Sequence, residues 1–167
     1  RIVDGWPVLP RVACGMVGSA QGWHEVPYAA TPADAAALVA GATTVATAGG
    51  VPLLVAPGVL HRPAGAAPDV MRGEETQVMG ALLRHPHAQA LFVLPGTHSK
   101  WVVVEQGRIV SLRTAMTGEL FALLRTHSIL GRLMAADASD ADAAAGFDRG
   151  VQAAGAPDAA GDLLHAL

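Results

Sequence analysis

Apolar residues in this chain come in short runs that break on glycine, proline or charge, and the spacing inside each run differs from segment to segment. The clearest case is Leu91–Leu94 and Trp101–Val104 on either side of Pro95-Gly96-Thr97-His98-Ser99-Lys100. That pattern predicts strand, polar turn, strand. Gln106-Gly107 then separates Trp101–Glu105 from Arg108–Leu112, a tight hairpin signal, so an antiparallel pair follows the turn. Earlier, Arg11–Ser19 reads as a buried strand that ends in a Gly-rich turn, Ala20–Tyr28 as an irregular loop, and Val51–Val59 as a second buried strand. Between them, Thr31-Pro32-Ala33-Asp34 offers a capping hydroxyl, a proline at the first helical position and a carboxylate at the third. A helix is predicted from Thr31 to Gly41. Val78, Met79, Leu82 and Leu83 recur at helical spacing behind Gly73-Glu74-Glu75, which predicts a helix with two acids in its first turn, closed by Pro86. Leu120, Phe121, Leu123, Leu124, Leu130, Leu133 and Met134 predict a core-packed amphipathic helix capped by Thr117. The sparse anchors Phe147, Val151, Leu163, Leu164 and Leu167 predict weakly specified helices beyond Asp137. Strand, helix, strand is the order of an α/β fold.

Composition narrows the partners. The 167 residues are 51% hydrophobic, ample for a core, yet no apolar run escapes interruption for the ~20 residues a membrane helix needs. The positive mean hydropathy of +0.37 comes largely from alanine. Net charge is -3 and the eleven Lys and Arg are scattered, so no basic stripe marks a nucleic-acid or anionic-lipid surface. A single cysteine, Cys14, excludes an internal disulfide framework and fits a reducing, cytoplasmic setting. The seven histidines lack metal-ligand spacing, so no protein metal site is expected. The chain opens at Arg1 directly into a strand-like piece, which reads as an internal fragment.

Three segments concentrate chemistry, each beside a structural reading. The Gly96 turn can be a polar hairpin tip, or a phosphate site in which the backbone approaches closely and Thr97 and Ser99 donate. The loop holding Gln21, Trp23, His24, Glu25 and Tyr28 either binds a ligand or plugs onto the core. Glu74 and Glu75 are either dipole partners at a helix start or functional carboxylates, and two acids facing one cleft would raise the pKa of one of them.

Taken together, Cys14-Gly-Met-Val-Gly-Ser19 with Gln21-Gly22-Trp23 and Pro27-Tyr28, Pro68-Asp-Val-Met-Arg-Gly-Glu-Glu-Thr-Gln77, Leu94-Pro-Gly-Thr-His-Ser-Lys-Trp101 and Met116-Thr-Gly-Glu-Leu-Phe-Ala-Leu-Leu124 resemble the 2-dehydro-3-deoxygalactonokinases, in order, over roughly residues 10 to 134. The resemblance implies the sugar kinase, Hsp70 and actin superfamily: an actin-like, ribonuclease H-like α/β ATPase fold of two lobes. Residues 1–90 would be the later part of the N-terminal lobe and 91–167 the beginning of the C-terminal lobe. It implies transfer of the γ-phosphoryl of ATP, with Mg2+, to the 6-hydroxyl of 2-dehydro-3-deoxy-D-galactonate in galactonate catabolism. Glu74 is then the preferred general base, with Glu75 beside it. Arg72, Ser19, Gln21, Trp23 and Glu25 would bind the sugar acid. Gly96, Thr97, His98, Ser99 and Lys100 would hold phosphate. The partners implied are the sugar acid and ATP, with no nucleic acid or membrane, and a possible homodimer. The family's first phosphate loop and its adenosine-binding glycine pair are absent from the sequence, so catalysis by residues 1–167 alone is not expected. Another sugar or sugar-acid kinase of the superfamily, or a non-catalytic sugar-acid sensor on the same fold, are the rival readings.

Overall fold

The computed structural model describes residues 9–86, 89–134 and 139–155. By contact the chain divides after Met116 into two compact units.

Among its described residues the first unit holds three sheets of three strands. In one, β4 (Leu53–Val55) lies between β1 (Arg11–Ala13), parallel to it, and β3 (Thr43–Val45), antiparallel. In the second, β5 (Val59–His61) pairs in parallel with β2 (Ala29–Ala30) and antiparallel with β6 (Asp69–Met71). Val51–Val59, expected as one strand, is therefore two strands in different sheets. Ala56-Pro57-Gly58 lies between them, and proline cannot donate into a continuous ladder. Strands β2, β3 and β6 were not anticipated. Two or three residues without a longer apolar run around them give too little pattern to read.

The third sheet orders β7 (Gln89–Leu94), β8 (Ser99–Glu105) and β9 (Arg108–Ala115) as an antiparallel meander. Gln106 and Gly107 both have positive φ, 50° and 75°, the backbone of the tight turn their sequence predicts. Strand β8 starts at Ser99, earlier than expected, which leaves residues 95–98 as the turn. Strict alternation would put Ile109 and Leu112, three apart, on opposite faces. The pairing slips between Val103 and Val104, so Ile109 faces Val104 while Leu112 faces Val102, and all four are buried.

Helix α1 (Ala35–Gly41) starts later than predicted. Asp34, not Thr31, is its cap, because its carboxylate accepts from Ala37 N at 2.8 Å. Pro32 follows a cis peptide, and Ala33 exchanges backbone hydrogen bonds with Ile109 of β9, so this stretch is extended. Helix α2 (Glu74–Arg84) lays Val78, Met79 and Leu82 into a core shared with Leu38, Val59, Met71, Val102, Val104, Ile109 and Leu112.

In the second unit, α3 (Thr117–His127) stops short of the predicted Met134. Ser128 Oγ donates to Leu124 O at 2.6 Å and accepts from Leu130 N at 3.1 Å, and a 3-10 turn, Leu130–Leu133, follows. No residue of α3 is buried. Leu120, Phe121 and Leu123 stay nearly half exposed, contrary to the expected core packing. Helix α4 (Asp140–Ala154) begins at Ser139, whose hydroxyl accepts from Asp142 N. The expected anchors Leu163, Leu164 and Leu167 lie outside the described residues.

Candidate active site

Helix α2 begins on an unusual backbone. Gly73 sits at φ 113°, which a side chain rarely adopts, and an added Cβ would meet the Cα of Gly15 at 3.2 Å. Two glycines thus let the loop after β1 touch the start of α2. The loop then folds back on itself: Trp23 N and His24 N donate to Val17 O, and Val26 N to Gly18 O. Ser19 and Gln21 are carried to the same place as Arg72 and Glu74.

These residues line a cleft of about 660 Å³ in the first unit, to which the β7–β8 turn also contributes. Of the candidates named from sequence, Ser19, Gln21, Arg72, Glu74, Gly96, Thr97, His98 and Lys100 line it. Trp23, Glu25, Glu75 and Ser99 are not among its lining residues. Trp23 is 58% exposed and Glu25 is exposed, because the backbone reversal at Val17 turns them outward. Ser99 is buried and accepts from Gly96 N at 3.3 Å, so its hydroxyl braces the turn. Gly96 itself is under no internal steric demand, since a Cβ would meet only His98 O at 3.8 Å.

The two adjacent acids part company. Glu74 lines the cleft and accepts from Arg72 N at 3.1 Å. It is the only acid among the described lining residues. Glu75 is fully buried; both its oxygens accept from Gly73 N, at 2.8 and 2.7 Å, and Thr76 Oγ1 donates at 3.2 Å. Burial raises its pKa above the usual carboxylate value, the hydrogen bonds from the backbone and Thr76 oppose that rise, and Glu74 adds only a small push upward. Mutual repulsion in a shared cleft, expected from the sequence, is therefore not the main cause.

Lys100 is buried on the core-facing side of β8. Its Nζ donates to Val70 O and Thr114 Oγ1, both at 2.7 Å. Thr114 in turn donates to Asp69 through N and Oγ1, each at 2.6 Å. Asp69 and Thr114 were missed because the partners are 45 residues apart in sequence. Gln77, also lining the cleft, was legible: it stands one helical turn after Glu74. Arg72 Nε and Nη1 and Ser19 Oγ are buried without a hydrogen-bond partner among the described residues. Buried donors left open at a cleft wall suit a ligand that brings acceptor oxygens. No group of three or more His, Cys, Asp or Glu among the described residues forms a metal cage.

Fold and cleft define a mixed α/β protein that sets one carboxylate among guanidinium, ammonium, hydroxyl and amide donors, the equipment for a small oxygen-rich anion. The particular family is shown by comparison: the chain belongs to the 2-keto-3-deoxy-galactonokinase family, whose model matches residues 1–167. It is 41% identical over 160 residues to the "Probable 2-dehydro-3-deoxygalactonokinase DgoK1" of Rhizobium meliloti (strain 1021), covering 95% of this chain and 52% of that protein. It is 41% identical over 145 residues to the 2-dehydro-3-deoxygalactonokinase of Escherichia coli (strain K12), covering 85% of this chain and 47% of that one. A crystal structure of a candidate 2-dehydro-3-deoxygalactonokinase from Sinorhizobium meliloti superposes with a TM-score of 0.81 at 39% identity, over 93% of this chain and 51% of that one. The chain spans about half the length of these relatives. No helix among the described residues is long and apolar enough to cross a membrane.

Proposed function

We propose that the protein of which this chain forms part phosphorylates 2-dehydro-3-deoxy-D-galactonate at its 6-hydroxyl with ATP. The single observation that carries the reading is the cleft itself, where Glu74 faces Arg72, Ser19 and the Gly96–His98 turn. Family membership and the names of the relatives support the reaction and the substrate.

In this reading Arg72 pairs with the sugar acid's carboxylate, and Ser19 and Gln21 bond its oxygens. Glu74 accepts the proton of the 6-hydroxyl. The freed oxygen forms a bond to the γ-phosphorus as the bond to the β,γ-bridging oxygen breaks, and ADP leaves. Backbone and side chains of Gly96, Thr97 and His98 hold terminal phosphate oxygens, while the buried ammonium of Lys100 stabilises the charge that accumulates on transfer. Mg2+ needs no all-protein cage: it keeps waters, binds substrate phosphates and takes one or two carboxylates. Such an ion would neutralise phosphate charge; Glu74, the only acid among the described lining residues, serves as the base and is not assigned to it. We assign the fold to the actin-like class, with the lobe boundary near Ala90, and the protein to the cytoplasm. A homodimer remains part of this proposal.

The test is turnover by the full-length product of the reading frame on a panel of sugar acids, ketoses and hexitols, read as ADP release. Preference for the 2-keto-3-deoxy acid is expected. Preference for a hexitol or a pentulose would move the assignment to another kinase of the superfamily, and no turnover at all would favour a sensor.

A further inference from the structure

Arg72 sits in a slot built by residues that have no part in the reaction above. Its guanidinium carbon lies 4.2 Å from the centroid of the Tyr28 ring, within the ~6 Å reach of cation–π attraction. Nη2 donates to Val26 O at 2.8 Å. Beside Nη1 stands Gly18, where an added Cβ would lie only 3.0 Å from that nitrogen. Near the ring stands Gly58, where an added Cβ would lie 2.7 Å from Tyr28 Cε1. A side chain at Gly58 would crowd the half-exposed Tyr28 ring as well as Met71 O, at 2.5 Å, and Gly18 leaves the guanidinium its place.

Among the described residues nothing pairs with the buried Arg72 Nε and Nη1, and the hydroxyl of Ser19, the neighbour of Gly18, is in the same state. An arginine free in solution samples many rotamers and loses that freedom on binding; one held by a ring, a carbonyl and a glycine gap has lost it on folding. A fixed, partly unfilled guanidinium also discriminates strongly, because a neutral ligand leaves its buried donors unpaired.

We propose that Tyr28 is a positioning residue: with Gly18 it holds Arg72 as a preformed carboxylate receptor, and so makes the cleft select anionic sugar acids over neutral analogues. The proposal rests on the reading of Arg72 as the carboxylate-binding group.

The experiment measures kcat/KM of the full-length protein for 2-dehydro-3-deoxy-D-galactonate and for its C1 amide, an isosteric neutral analogue. Expected is an acid-to-amide ratio that falls about tenfold in Tyr28→Leu and in Gly18→Ala, and that Tyr28→Phe retains, since the ring and not the hydroxyl does the holding. If Tyr28→Leu does not fold, as its thermal melt would show, Gly18→Ala carries the test alone. An unchanged ratio in the folded variants, or acid and amide falling in proportion, overturns the proposal if Arg72→Gln still collapses the ratio. If Arg72→Gln also leaves the ratio unchanged, the carboxylate-binding reading fails and the proposal falls with it.

Discussion

Glu74 and Glu75 are chemically the same and adjacent, yet successive residues of a helix point about 100° apart, so only one of them faces the cleft. Which one could not be read from the sequence, because the start of α2 is set by Gly73 and by its contact with Gly15, 58 positions away in the chain. The placement separates their mutants. Glu74→Gln is expected to lower kcat by about three decades, the middle of the range for a lost general base, and Glu75→Gln by less than about tenfold. Equal small losses in steady-state kinetics would return both acids to helix capping. A second prediction concerns pH. Folding raises the pKa of Glu75, mainly through burial, so the folded state holds its proton more tightly than the unfolded chain does. That contribution to stability is complete below the usual value of 4.5 and is lost as pH rises through the raised one. Glutamine cannot ionise, so the Tm of Glu75→Gln relative to the parent should increase between pH 4 and pH 8. A difference that stays flat in thermal melts across that range counts against the assignment.

Among the elements, periodic segments declared that a helix exists but not where it ends or what it buries, since α3 stops at His127 with no residue buried. Helix α2 carries enough apolar repeats to declare itself, and the β8–β9 turn is written in Gln106-Gly107. The bulge that brings Ile109 and Leu112 onto one face is not, because it depends on which partner residues β8 supplies. Gly73 is the sharpest test at this scale. Its φ of 113° and the nearby Gly15 Cα penalise any side chain. Gly73→Ala should cost about 1–3 kcal/mol in urea unfolding, the ordinary range for such backbone strain. Loss of activity should accompany it, since Glu74 and Arg72 flank the substituted residue. A variant as stable as the parent would mean that this backbone relaxes freely.

Across the first unit, the second and third sheets are tied by charge as well as by apolar packing. Asp69 of β6 accepts from Thr114 of β9, and Lys100 of β8 donates to Val70 of β6. Removing the carboxylate leaves Thr114 without its acceptor and Lys100 with a loosened partner, so Asp69→Ala should cost about 1.5–3 kcal/mol in stability, the range for hydrogen bonds to charged groups. Chemical denaturation measures it, and a cost under about 0.5 kcal/mol would show the tie to be incidental. Sequence alone determined the α/β character, the polar turn between two strands, the helix behind Gly73 and the resemblance to one kinase family, because each is carried by local spacing or by motifs in order. The tertiary structure decided which of the nominated side chains share a cleft, that Glu74 and not Glu75 lines it, and that Tyr28 and Gly18 stand against Arg72. Those facts arise from close approaches between segments far apart in the chain, which no local pattern encodes.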